Sequence, residues 1–323
     1  MSQVSQQKPA IQIIILSRNR VRSLARAIDS ALSQKRVNAE IQILVSDNST
    51  NNEVQELVES KYPAVAYKRR SPPTHVWDHY RQAIRDAEGD FVVLFHDDDV
   101  LLPSYCEEIM SGFAQYKTAA AIGCNAIKVD NAGEKLGLFH THVANKLITD
   151  EAWFLSQYIP QKRPEQGVAP FPSYCYKKEA LKADHINERN GPCGDVAFVA
   201  AKLHFGPLVW LSKPLMEYTV HRNSGSAELT PDDYRRLWRY MVARGMDKYS
   251  LEFTNWRIGI WSSWYLGRVD KKNIAIVPKT WREAVIHRAI LRSRIKRPSK
   301  QLLRMLLGYA IYAIKEPIKK SIK

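Results

Sequence analysis

Three adjacent carboxylates, Asp97, Asp98 and Asp99, follow His96 directly behind the apolar run at residues 91–95. A run of that length reads as a strand buried on both faces. Pro103, four residues past the triplet, suits the first turn of a helix. Like charges crowded at the mouth of a buried strand repel one another and lose hydration, unless a cation offsets them. Hard divalent ions such as Mg²⁺ and Mn²⁺ take oxygen ligands and bridge readily to phosphates. The strand in front favours a metal site. The alternative is a solvated acidic turn capping the following helix.

The elements that must position this triplet alternate along the first half of the chain. Residues 11–17 (IQIIILS) read as a buried strand, and SRNR leads into a helix over 21–33. A second buried strand at 41–46 ends in Asp47, Asn48, Ser49 and Thr50, whose side-chain oxygens can cap a helix over 52–60. A short strand at 65–67, the loop KRRSPPTH and a helix over 76–88 follow, with Gly89 as the helix stop. Alternation of this kind predicts an α/β fold with a mainly parallel sheet and helices on both faces. Such sheets bind ligands at the carboxyl ends of their strands. Those ends carry Ser17, Arg18 and Asn19, then Asp47 and Asn48, then Asp97, Asp98 and Asp99. Residues far apart in sequence therefore converge on one edge.

Three motifs in this order, ILSRNR, SDNST and AEGDFVVLFHDDDVLLP, resemble the nucleotide-binding half of a GT-A glycosyltransferase of the inverting family 2. The likeness runs over roughly residues 10–225. It implies a Rossmann-like domain over 1–228, with a nucleotide-sugar half (1–130) and an acceptor half (131–228). By the same resemblance, Asp47 contacts the nucleotide base and Asp98 ligates Mn²⁺ or Mg²⁺. Asp97 and Asp99 hold ribose, sugar or metal-bound water. Arg18 and Arg70 are candidates for the donor phosphates, with solvated loop cations as the alternative. His96 departs from the family pattern, standing where many members have the first aspartate of DxDD, and the cluster after Asp47 is one residue short.

Two later stretches extend the likeness. In ERNGPCGDVAFVAAKLHFG, Asp195 opens an apolar helix, where an aspartate is ordinarily an N-cap. The family places an acidic catalytic base in a similar setting, and inversion needs a carboxylate to take the acceptor hydroxyl's proton. Glu188 and Asp184 are the other nearby candidates. In LVWLSKPLMEYTVHRNSGS, two short strands around Lys213-Pro214 are expected to lead to His221, which resembles a family histidine that completes the metal sphere or touches the diphosphate. Thr219 replaces the arginine that usually follows the tyrosine at Tyr218. Between these stretches, 119–129 reads as a strand and DNAG as a hairpin turn. The aromatic residues Trp153, Phe154, Tyr158, Phe171 and Tyr174 either stack on a sugar or fill the core.

Composition bounds the rest. The 323 residues carry a formal charge of +15, and residues 279–323 hold thirteen Lys and Arg against two Glu. A basic tail on a near-neutral body suggests an anionic surface as partner. Region 229–323 is expected to be a helical, basic, amphipathic extension that lies on anionic membrane, with a solvated face or a nucleic-acid patch as alternatives. No nucleic-acid module accompanies it. The four cysteines form no CxxC pair, which fits a reducing compartment, and no apolar run is long enough to span a bilayer. These features predict a cytoplasmic protein, peripheral on the inner face of the cell membrane. The function implied is metal-dependent, inverting transfer of a sugar from a nucleoside-diphosphate donor, UDP or dTDP, to a glycan or polyprenyl-linked acceptor. Nucleotidyl transfer on the same fold is the enzymatic alternative, disfavoured by the lack of a Gly-rich phosphate loop. A non-catalytic membrane- or nucleic-acid-binding protein is the other.

Overall fold

A computed structural model describes residues 8–35, 37–141, 144–157, 168–221 and 231–245. They divide into two units, one covering residues 1–158 and 162–228 and the other 159–161 and 229–323. In the second unit the described element is the helix α7 (Pro231–Ala243). The remainder of the expected basic extension lies outside the described residues, as does Tyr158.

The first unit is built on a sheet of ten strands among the described residues. β1 (Ala10–Ser17) is central and its seven residues from Ile11 onward are all buried. It lies parallel to β2 (Glu40–Asp47) on one side and to β4 (Phe91–His96) on the other, and β3 (Ala66–Arg69) extends β2 in the same sense. Its β-branched side chains pack on both faces, as a parallel strand covered by helices requires. The covering helices are α1 (Val21–Leu32), α2 (Glu53–Lys61), α3 (Val76–Arg85) and α4 (Tyr105–Gln115). α1 turns Leu24, Ala27, Ile28 and Ala31 into the core.

Beyond β4 the sheet becomes mixed. β9 (Cys175–Lys177) runs antiparallel between β4 and β6 (Ala121–Val129), and β10 (Leu208–Thr219) returns parallel to β6. The two short strands expected around Lys213-Pro214 are this one strand, bulged between Leu211 and Met216. Proline cannot donate to the ladder, and the bulge accommodates it. β5 (Val100–Leu101) and β8 (Lys146–Ile148) pair antiparallel with β10, while β7 (Lys135–Leu138) forms the expected hairpin with β6.

β9 is short and pairs with Phe91–Val93 of β4 and Ala121–Ile122 of β6. Past it, the 3-10 turn Phe171–Ser173 takes up the space, held by the Cys124 backbone N–H on Ser173 Oγ at 3.2 Å. Gly123 permits this approach: a Cβ there would lie 2.6 Å from Ala169 Cβ and 2.7 Å from the Tyr174 ring. The turn brings Phe171 to the carboxyl end of β4, which is how the fold furnishes the site.

Several boundaries differ from expectation for tertiary reasons. α3 ends at Arg85 rather than 88, and the next residue, Asp86, is drawn into ion pairs with Lys68 and Arg70, each at 2.5 Å. α2 begins after Asn52 without a side-chain cap. The Asp47–Thr50 cluster is spent on the strand ends instead, as described below.

Candidate active site

The triplet joins the end of β4 to β5, and each carboxylate meets a different environment. Asp97 is buried; its Oδ2 accepts from Ser17 Oγ (2.9 Å) and from the Arg18 backbone N–H (3.2 Å). Its Oδ1 accepts from Arg20 Nη1 at 3.2 Å. Asp98 is partly open, and its Oδ2 meets Arg20 Nη1 at 2.5 Å and His221 Nε2 at 2.7 Å. Asp99 is 1% exposed; its Oδ1 accepts the Thr219 backbone N–H at 2.8 Å, while its Oδ2 has no hydrogen-bond partner.

Burial and mutual repulsion act differently on the three acids. Burial pushes Asp97 up to about 6, against the pull of Arg20. Asp99 rises well above the ordinary aspartate value through burial and then the charge of Asp98. Burial also raises Asp98, but His96, Arg20 and His221 outweigh it and hold that group below its ordinary value. Of the three, Asp98 alone is held below the ordinary aspartate value.

An orphaned buried carboxylate oxygen is costly, about 1–3 kcal/mol, and asks for an explanation. Asp99 Oδ2 stands 3.7 Å from His96 Nδ1. His96, Asp98 and Asp99 each offer a ligand atom, and these atoms lie within 4.8 Å of one another. His96 Nε2 meets the Tyr80 hydroxyl at 2.6 Å. With the proton on Nε2, given to the tyrosine oxygen, Nδ1 presents its lone pair to the cluster, the usual arrangement of a ligating histidine. Burial lowers the His96 pKa and favours the neutral ring that ligation needs, whereas the charge of Asp98 pulls the other way, toward the imidazolium. This donor set fits a divalent cation. It places His96, the departure from the family pattern, in the aspartate's stead. His221 reaches the cluster through Asp98.

The turns around the triplet lock together. Asn19 adopts a left-handed backbone (φ 56°), which asparagine tolerates, and gives its N–H to Ser49 Oγ at 2.8 Å. Its Oδ1 accepts the Thr50 N–H at 2.9 Å. Asn48 gives its N–H to the Ser17 carbonyl and exchanges two side-chain hydrogen bonds with the Thr74 backbone at 2.9 and 2.7 Å. The Arg18 side chain is exposed.

Two expected donor contacts take other roles. Asp47 is fully buried, with Oδ1 on the Ser49 N–H (2.8 Å) and Oδ2 on the Tyr67 hydroxyl (2.7 Å). In this conformation it fixes the end of β2 and presents no surface to a base; a base contact requires Tyr67 to swing aside. Arg70 is also buried, its guanidinium engaged by Ser46 Oγ and Asp86. In this conformation it ties the end of β2 to the residue that follows α3. Arg20, two positions past Arg18, is the cation the triplet actually meets. Only its place in SRNR, at the start of α1, could have signalled this.

Asp195 lies in the first turn of α6 (Gly194–Ala200), behind Cys193 at the N-cap. Its Oδ1 accepts the adjacent Val196 N–H at 2.8 Å. Burial pushes it up to about 6, a value suited to a base working near neutrality. Tyr80 and Tyr218 stand within electrostatic reach of both Asp195 and the triplet: burial raises each hydroxyl, and both sets of charges raise it further. Asp195 and the triplet therefore share one neighbourhood. Glu188 sits instead on the surface, 4.0 Å from Arg81. Of the aromatic candidates, Phe154 and Tyr174 are wholly buried in the core, and Phe171 packs on Tyr80 and His96. Trp153 lies under Lys146 Nζ at 3.4 Å.

Comparison with known proteins agrees with this architecture. The profile of the family described as Glycosyl transferase family 2 matches residues 12–177. The fold matches S. aureus TarS 1-349 with a TM-score of 0.59 at 17% identity, covering 86% of this chain and 79% of that one. The same protein in complex with UDP-GlcNAc matches with a TM-score of 0.58 at 17% identity, over 82% and 77% of the two chains. Its complex with UDP matches with a TM-score of 0.55 at 16% identity, over 84% and 75%. No curated protein matches the sequence. The strand order, the mostly parallel sheet flanked by helices and the family match together make this chain a GT-A glycosyltransferase of family 2.

Proposed function

We propose that this enzyme transfers a sugar from a nucleoside-diphosphate donor, UDP or dTDP, to a hydroxyl of a glycan or polyprenyl-linked acceptor, with inversion. The observation that carries the reading is the orphaned Asp99 Oδ2 beside His96 and Asp98, at the carboxyl ends of the parallel strands. The TarS complexes with UDP-GlcNAc and UDP support a uridine donor by analogy of fold.

His96, Asp98 and Asp99 would hold Mn²⁺ or Mg²⁺, with His221 alongside through Asp98. When bound, the cation supplies positive charge that offsets the departing diphosphate. Asp97 keeps the end of β1 and Arg20 in place, while Asn19 and Asn48 fix the loops that flank the nucleotide. Asp195 takes the acceptor proton on its carboxylate as the acceptor oxygen bonds the anomeric carbon and the bond to phosphate breaks. The domain spans 1–228, in nucleotide and acceptor halves. The thirteen cations of residues 279–323 support attachment to an anionic membrane surface on the inner face of the membrane. No described helix is long and apolar enough to cross a membrane.

The test is to incubate the enzyme with UDP- and dTDP-sugars and Mn²⁺ and measure release of nucleoside diphosphate. Slow hydrolysis to the inverted sugar, seen by NMR and stopped by EDTA, is the expected result. Retention at the anomeric carbon, or release of pyrophosphate and a nucleoside monophosphate, would overturn the reading.

A further inference from the structure

Arg20 occupies the place where a cation is wanted. Its Nη1 lies between Asp97 Oδ1 at 3.2 Å and Asp98 Oδ2 at 2.5 Å. The two carboxylates are 6% and 14% exposed, whereas the Arg20 side chain is 49% exposed. Its backbone is anchored at the head of α1, the carbonyl accepting from Leu24 N at 2.9 Å. The guanidinium can therefore move by side-chain rotation alone, on a fixed base, and leave the acids behind.

We propose that Arg20 is the resident counter-cation of the triplet, and that donor binding transfers it from Asp98 to the diphosphate. The proposal rests on the donor-site reading above. A divalent ion on Asp98 and a guanidinium on the same carboxylate would be like charges in a partly desolvated site, and they repel. Asp98 Oδ2 also meets His221 Nε2 at 2.7 Å, so two side chains already share that oxygen. A diphosphate resolves the conflict. It brings negative charge next to the ion and offers paired oxygens that suit arginine's planar fork. The free enzyme then holds its acids together without metal, binds metal alone poorly, and binds metal and diphosphate together. Such coupling is reciprocal: nucleotide tightens metal binding by the factor with which metal tightens nucleotide binding.

The experiment compares the full-length wild type with Arg20→Met, which keeps the aliphatic stem and removes the charge. Free Mn²⁺ is followed by electron paramagnetic resonance, with and without UDP and, separately, dTDP. In wild type, the nucleotide should tighten Mn²⁺ binding strongly. In Arg20→Met, Mn²⁺ alone should bind about tenfold tighter and the nucleotide should add about tenfold less, within the range usual for coupled sites. Arg20→Lys should lie between, and it carries the test if the methionine variant fails to fold. Unchanged or weaker binding of Mn²⁺ alone in the folded variants would make Arg20 a structural clamp and overturn the proposal. Failure of the donor reading looks different: wild type itself would show no nucleotide effect.

Discussion

Asp99→Asn separates the cost of the site from its use. Asp99 is 1% exposed, one oxygen is satisfied by Thr219 N–H, and the other has no partner and faces His96 Nδ1 at 3.7 Å. An asparagine keeps the volume and the acceptor for Thr219, cannot ionise, and puts a donor where the orphaned oxygen stood. Relief of a buried unsatisfied group is worth about 1–3 kcal/mol. At about 2–4 °C per kcal/mol for a domain near this size, the metal-free melting point should rise by about 2–12 °C. The sign of its pH dependence also follows. Because folding raises the Asp99 pKa, this acid's contribution is fully present below its unfolded value and is lost as pH rises toward the folded one. The advantage of the asparagine should therefore be small near pH 4 and larger at pH 7.5. Thermal melts in EDTA at both pH values read it, and the same melts with Mn²⁺ and UDP should show the ligand-induced gain reduced or gone. A variant less stable than wild type in EDTA at pH 7.5 would refute the orphaned-oxygen argument.

Two further substitutions address the chemistry. Asp195→Asn should lower turnover by about 10²–10⁴-fold while nucleotide affinity stays unchanged, measured by steady-state kinetics beside calorimetry. Since Asp195 is pushed up to about 6 and must be ionised to accept a proton, wild-type turnover should rise with pH through about 6; that limb should vanish in the variant. Tyr80→Phe removes the hydrogen bond that orients His96 at 2.6 Å, and should weaken Mn²⁺ binding by about 10–100-fold with little change in melting point in EDTA.

Much of the fold was legible because periodicity alone carried it. The uninterrupted apolar runs of β1 and β4 could be buried only in a covered parallel sheet, and the polar residues at their ends had one edge to occupy. The site was legible where chain direction decides position: Ser17 and Asp97 meet because parallel strands end together. What stayed hidden depends on packing across sequence. Nothing in KRRSPPTH shows that Arg70 turns inward to Asp86, or that Tyr67 closes over Asp47. In the sequence His96 is a missing aspartate; only the fold shows its Nδ1 facing the orphaned Asp99 oxygen at 3.7 Å. Arg18 and Arg20 are indistinguishable as residue types; the backbone of the β1–α1 turn selects which one reaches the acids.

The most direct test of the account is metal-dependent nucleotide binding at the triplet. Thermal shift is measured for UDP, dTDP, GDP, CDP and CMP at millimolar concentration, with Mn²⁺ and with EDTA, on wild type and Asp98→Asn; stabilisation grows with ligand concentration over Kd, so weak binders register. The account predicts that UDP or dTDP stabilises the wild type only with Mn²⁺ and that Asp98→Asn abolishes the shift. Stabilisation that persists in EDTA, or in Asp98→Asn, would contradict a metal-held diphosphate. No shift with any nucleotide would contradict the donor site itself.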